Sequence, residues 1–155
     1  MKPVVVIMHG VSGTGKSYIA RSLQFYSANS VIVSADEYFQ QARVYYPDGA
    51  HETNQYIWKS NLLQNAHNWC RAQFKQAILD LKACIIVDNT NLAVADYEFY
   101  EEQAIANGYR VQHICIKVDK HEDWPDAHNV LAATKQRQYN RLIGVVGRIF
   151  KSAFE

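Results

Sequence analysis

Residues 10–17 read Gly-Val-Ser-Gly-Thr-Gly-Lys-Ser, a complete G-x-x-x-x-G-K-[ST] string. Glycines at this spacing let backbone amides turn inward and approach an anion closely, since no Cβ intervenes and positive φ costs little. Lys16 can reach the terminal phosphates of a nucleoside triphosphate, and the Ser17 hydroxyl can ligate Mg²⁺. The binding set read from the string is Gly10, Val11, Ser12, Gly13, Thr14, Gly15, Lys16, Ser17 and Tyr18. It names a ligand and leaves the reaction open.

Two carboxylates accompany it. Asp36 lies just past the β-branched run Val31-Ile32-Val33, within Ser-Ala-Asp-Glu-Tyr. Ligands of open parallel sheets sit beyond the strand C-termini, so Asp36 is placed to face the same crevice as the glycine-rich turn. There it can orient an attacking hydroxyl and take its proton. The same position also suits an N-cap of the next helix. Asp88 ends the apolar run Cys84–Val87 in the strand-then-Asp form of a Walker B segment. It suits a water-mediated Mg²⁺ contact or a bond to Ser17. Thr90 and Asn91, which follow, fit contact with phosphate or with substrate, and fit equally an Asx-turn and helix cap.

Other side chains have two readings each. His67 borders the apolar face of a long helix, as a packed residue or a substrate contact. Tyr38, Phe39, Tyr45 and Tyr46 can stack on a nucleobase or pack beneath a loop. Lys120, Arg137 and Arg141 lie in or after a polar stretch, as solvated charges or as cations that fold over a triphosphate.

The elements that must position these residues follow from periodicity. Val4–Met8 is a short apolar strand before the turn, and Tyr18–Leu23 reads as the start of a helix. Leu62, Leu63, Ala66, Trp69, Cys70, Phe74, Ala77, Ile78 and Leu81 share one helical face. A helix over 94–107 should end at Gly108, and 109–118 alternates as a strand. Residues 45–55 and 119–131 are turn-rich and read as loops. A last helix starts near Ala132. Ile143–Phe150 either prolongs it or forms a fifth strand, and Gly144 and Gly147 argue against a long straight helix. The alternation of strands and helices predicts an α/β fold with a parallel sheet of four to five strands.

The 155 residues make one domain with one core, and 48% apolar content fits a globular chain. Net charge of +1 gives no broad basic field, so nucleic-acid contact must be local, as at a short or single-stranded end. Cys70, Cys84 and Cys115 are widely spaced and fit neither a zinc pattern nor a disulfide framework. They read as reduced core thiols of a cytoplasmic protein. The N-terminal apolar run stops at the glycine-rich turn and reads as a buried strand, not a signal peptide or membrane span.

Taken together, the glycine-rich turn, Ser-Ala-Asp-Glu-Tyr, Ala66-His67-Asn68-Trp69-Cys70, Asp88-Asn89-Thr90-Asn91-Leu92 and His128-Asn129-Val130 resemble one family. It is the P-loop kinases related to the 5′-kinase domain of phage polynucleotide kinase, in the small branch of phages and of domains in larger eukaryotic proteins. The resemblance covers roughly residues 4–142 and implies a single P-loop kinase domain over 1–155. It implies ATP- and Mg²⁺-dependent phosphoryl transfer to a hydroxyl, commonly the 5′-OH of a polynucleotide. It puts Lys16 and Ser17 on the nucleotide, Asp36 as general base, and a lid at about 119–135. The chain departs from the family at three places. Phe39 stands where a substrate-phosphate arginine is usual, leaving Arg43 as the nearest replacement. The lid segment offers Lys120 in place of arginine, and lysine cannot make the planar bidentate contact. Leu131 replaces a proline. A kinase of a small nucleoside-like acceptor or modified DNA base, and a non-catalytic ATP-binding module, are the alternative expectations.

Overall fold

The computed structural model describes residues 2–41, 60–117 and 130–154. Four strands, β1 (Val4–Gly10), β2 (Ser30–Val33), β3 (Cys84–Val87) and β4 (Arg110–Ile116), form one sheet in the order β2-β3-β1-β4. All pairings are parallel, with Val4 opposite both Cys84 and Arg110. The helices are α1 (Lys16–Tyr26), α2 (Ala35–Gln41), α3 (Leu63–Leu79), α4 (Val94–Ala106) and α5 (Ala132–Phe154). A short 3₁₀ turn, Ser60–Leu62, leads into α3.

The central strands are apolar because both sheet faces are covered. Val5 and Ile7 of β1, with Ile85 and Val87 of β3, point to the larger core. There they meet Ala66, Cys70, Phe74 and Ala77 of α3, and Tyr97, Tyr100 and Ala104 of α4. Val6, Met8, Cys84 and Ile86 point the other way, onto Ala20 of α1. Phe74 and Tyr100 are fully buried with ring centroids 5.0 Å apart, edge to face. Each such ring contributes roughly 2–3 kcal/mol by burial.

The helix after β3 ends as its glycine dictates. Gly108 takes φ 79°, its N–H donates to Ile105 O, and Tyr109 N–H donates to Ala104 O, closing a Schellman motif. Leu81, assigned above to the α3 face, instead lies beyond the helix, 79% exposed at φ 53°. The C-terminal stretch also differs from the glycine argument. Ile143–Phe150 belongs to one continuous α5, and the described residues hold four strands, not five. Gly144 and Gly147 sit on the exposed side, where an added Cβ would meet nothing within 4 Å. Each glycine costs about 1 kcal/mol of helix propensity. Burial of Leu142 and Val145 on the opposite side outweighs that.

Candidate active site at the strand ends

The strand ends β1, β2 and β3 converge on one crevice, as parallel topology requires. Residues 11–15 leave β1 as a bent loop and enter α1 at Lys16. Gly13 and Gly15 adopt φ 81° and 86°, the left-handed region. Gly10 is needed for space instead: a Cβ there would stand 3.2 Å from Lys16 Cδ and from Thr14 Oγ1. The loop is held from three sides. Gly10 N–H donates to Thr90 O (3.1 Å), Thr14 Oγ1 donates to Val11 O (2.9 Å), and Ser12 N–H donates to Gln138 Oε1 of α5 (2.9 Å).

Lys16 is 8% exposed and donates from Nζ to Val11 O at 2.8 Å. Burial pushes its pKa down, while Asp88 and Asp36 act the other way. Both carboxylates therefore lie within electrostatic reach of the ammonium. Asp88, 7% exposed, has its own pKa raised by burial; a hydrogen bond from Ser17 and the charge of Lys16 counter this, and Asp36 adds to it. Its backbone N–H donates to Val33 O, which fixes the end of β3 against β2. Ser17 and Tyr18 are exposed on the first turn of α1. Paired hard oxygens from Ser17 and Asp88 suit Mg²⁺, which takes one or two protein oxygens and fills its shell with phosphate and water. Among the described residues no group of three or more His, Cys, Asp and Glu is placed to hold a metal ion.

Asp36 sits exposed in the first turn of α2. The cap of that helix is Ser34, whose Oγ accepts from Asp36 N–H at 3.3 Å, so the capping alternative for the Asp36 carboxylate falls to its neighbour. His67 of α3 is half-buried, and its pKa is lowered chiefly by burial, with Asp96, Arg71 and Asp36 as further influences.

Other residues named from sequence have different placements. Thr90 meets the loop through its carbonyl. Asn91 is 2% exposed at φ 48°, a backbone state that asparagine tolerates, and its Nδ2 donates to Met8 O at 2.8 Å. Capping of α4 is done by Asp96, whose Oδ2 accepts from Leu92 and Ala93 N–H. Arg137 is exposed and donates to Thr134 Oγ1 within α5 at 3.0 Å. Phe39 is 3% exposed, in the core. Arg43, Tyr45, Tyr46 and Lys120, and most of the lid expected at 119–135, lie outside the described residues.

Two contacts escaped sequence reasoning. Gln138 grips the phosphate loop across 126 residues of sequence, and Asn89 Oδ1 accepts from Ala35 N–H at 2.8 Å. Asn89 lay inside a string already singled out, but nothing in its spacing named its partner.

A parallel sheet in this order, with the loop after β1 wrapped on α1 and acidic residues at the neighbouring strand ends, is the P-loop kinase fold. The chain belongs to the family described as an AAA domain, which matches residues 5–123. Human NEDD4-binding protein 2 is 34% identical over 108 residues, a stretch that is 70% of this chain and 6% of that protein. A chain of the Pnkp1/Rnl/Hen1 RNA repair complex superposes with TM-score 0.65 at 15% identity, over 95% of this chain and 46% of its own length. The tunicamycin resistance protein of Deinococcus radiodurans gives 0.50 at 17% identity, over 91% of this chain and 80% of its own. These likenesses of structure establish the fold. No described helix is long and apolar enough to cross a membrane.

Proposed function

We propose that the chain is an ATP-dependent phosphotransferase that moves the γ-phosphoryl group to a hydroxyl, with the 5′-OH of a polynucleotide as acceptor. The observation that carries this reading is the loop after β1, with Gly13 and Gly15 at positive φ and Lys16 buried, beside the ends of β2 and β3 where Asp36 and Asp88 follow. In this reading the loop amides and Lys16 hold the β- and γ-phosphates. Ser17 and Asp88 hold Mg²⁺, which when bound neutralises charge on the transferring group. Asp36 orients the acceptor hydroxyl and takes its proton. Thr90 and His67 are proposed on the acceptor side, with buried Asn91 holding the loop after β3 through Met8 O, and Arg43, Lys120 and Arg137 are the cations proposed to meet substrate or transition-state charge. The RNA repair complex among the solved neighbours supports a nucleic-acid end as acceptor.

Phe39 favours a second reading. It stands at the sequence position where the resembling kinases carry a substrate-phosphate arginine and is buried in the core, which suits a small acceptor with no phosphate to grip. Labelled ATP offered with 5′-OH oligonucleotides, nucleosides and hydroxymethylated DNA separates the two. Asp36→Asn is expected to keep ATP affinity and lose roughly 10²–10⁴ in kcat, the range for a positioned base. Turnover of Asp36→Asn at the parent rate rules Asp36 out as the base. ATP binding with no transfer to any hydroxyl would turn the reading towards a nucleotide-binding module.

A further inference from the structure

The phosphate loop and Asp88 account for one side of the crevice. Asp36, on the other side, stands on α2, a helix of seven residues whose orientation needs an anchor. Two amides of its first turn are held by side chains from different sources. Asp36 N–H is held locally by Ser34 Oγ, and Ala35 N–H by Asn89 Oδ1 at 2.8 Å. Asn89 follows Asp88 directly. One peptide unit thus sends its first side chain to Ser17 and its second to the amide beside Asp36.

Asn89 is itself fixed from behind. Its Nδ2 donates to Cys70 Sγ at 3.6 Å, and the Tyr100 hydroxyl donates to the same sulfur at 3.3 Å. Cys70 and Tyr100 are 0% and 1% exposed, on α3 and α4. Burial raises the pKa of both groups, so thiol and phenol stay protonated through the physiological range and the pattern of donors does not change there. A buried thiol is ordinarily a small apolar filler. Here it accepts two hydrogen bonds and joins α3 and α4 to the loop after β3. The amide flip of Asn89 is settled by the Ala35 N–H, which requires an acceptor.

We propose that Asn89 is a positioning residue that sets Asp36 against Asp88, with Cys70 and Tyr100 acting through it. The proposal rests on the phosphotransfer reading and deepens it. The spacing between base and metal-side carboxylate is set by two consecutive residues, Asp88 and Asn89. Misplacement of a catalytic group by about 1 Å costs on the order of 10²-fold in rate while leaving ground-state binding nearly intact.

The test uses the full chain with ATP and whichever hydroxyl acceptor the parent phosphorylates. Asn89→Ala is expected to lower kcat by roughly 10–10²-fold and leave KM for ATP within about twofold. Asn89→Asp, which keeps an acceptor for Ala35 N–H but gives up the donor to Cys70 Sγ, is expected to recover part of that loss. Hydrogen exchange at the Ala35 amide should quicken in Asn89→Ala and not in Asn89→Asp. If Asn89→Ala does not fold, Tyr100→Phe carries the test, with a several-fold fall in kcat at unchanged KM for ATP. Parent-like kcat in the folded variant overturns the proposal. So does a fall in kcat matched by an equal fall in ATP affinity, or a loss that Asn89→Asp does not lessen. A parent that phosphorylates no hydroxyl brings down the phosphotransfer reading, and this inference with it. A parent that does, beside an equally fast Asn89→Ala, brings down the inference alone.

Discussion

Two polar clusters flank the end of β1, and they are built on opposite plans. On one side Lys16, Ser17, Asp36 and Asp88 gather a cation, two carboxylates and a hydroxyl around an open loop. On the other, His9 is fully buried, with Nδ1–H donating to Asn91 O at 2.7 Å and Nε2 2.9 Å from His113 Nδ1. The two imidazoles stack at 5.1 Å, Tyr97 meets His9 edge-on at 5.0 Å, and Glu101 lies 3.4 Å from His113 Nε2. The second cluster packs uncharged His9 between a carbonyl and a second imidazole, while the first sets a buried ammonium near carboxylates. Neighbouring strand residues can thus serve opposite ends, with His9 holding the fold and Gly10 opening the site. Substitutions should separate along that line, the loop cluster governing turnover and the histidine cluster governing stability.

Lys16→Ala is the strongest way to break this contrast. Loss of a positioned cation from the transferring phosphates is expected to remove roughly 10³ or more of kcat. Lys16 is buried at an energetic cost, as its lowered pKa records, so its removal should leave the thermal midpoint level or raised. Activity assays beside thermal melts decide the matter. A melt that falls in step with activity would show the ammonium to be structural and erase the distinction.

His9 tests the other half. Burial lowers its pKa from 6.5 to about 4; the Asn91 carbonyl and Asp96 oppose that shift and His113 reinforces it. Between those values the unfolded chain binds a proton that the folded chain refuses. Stability is therefore full above about pH 6.5, declines as pH falls, and stops declining through this group below about pH 4. The ceiling on the effect is roughly 3 kcal/mol. Urea unfolding of the parent and of His9→Asn at pH 7.5 and 5 should give a steeper loss for the parent. Equal losses would mean that His9 takes up no proton on unfolding. Asp88 and Glu37, both raised chiefly by burial, contribute with the opposite sign and are common to the two proteins.

The two clusters were unequally legible in the sequence, for a physical reason. A phosphate loop needs glycine, lysine and hydroxyl at fixed short spacing, because one turn of backbone must do the binding, so the string alone exposes it. Asp88, directly after a strand, and Asp36, three residues past one, could be put at the same edge of the sheet from topology. His9 and His113 are 104 residues apart and meet only because β1 and β4 pair. Asn89 and Ala35, or Gln138 and Ser12, are joined across gaps of 54 and 126 residues. Each of those side chains is of an ordinary type at an ordinary position. Gly144 and Gly147 misdirected the reading because propensity is a local quantity. The apolar stripe of α5 depends on what lies beneath it, here Val11 and Leu92.

That helix supplies the smallest and sharpest test. α5 belongs to neither cluster, yet its Gln138 holds Ser12 N–H on the loop, six residues before Gly144. If α5 is only a rigid brace, Gly144→Ala should stabilise the protein by roughly 0.4–1 kcal/mol by lowering the entropy of the unfolded chain. The added methyl meets no neighbour within 4 Å, so no strain offsets the gain. A brace of this kind leaves kcat and KM for ATP at parent values, because Ser12 N–H keeps its partner. A stabilised variant with slower turnover would instead show that the loop works by bending α5 away from it. The cluster around Lys16 would then extend along α5, and the boundary between the two plans would no longer run beside β1.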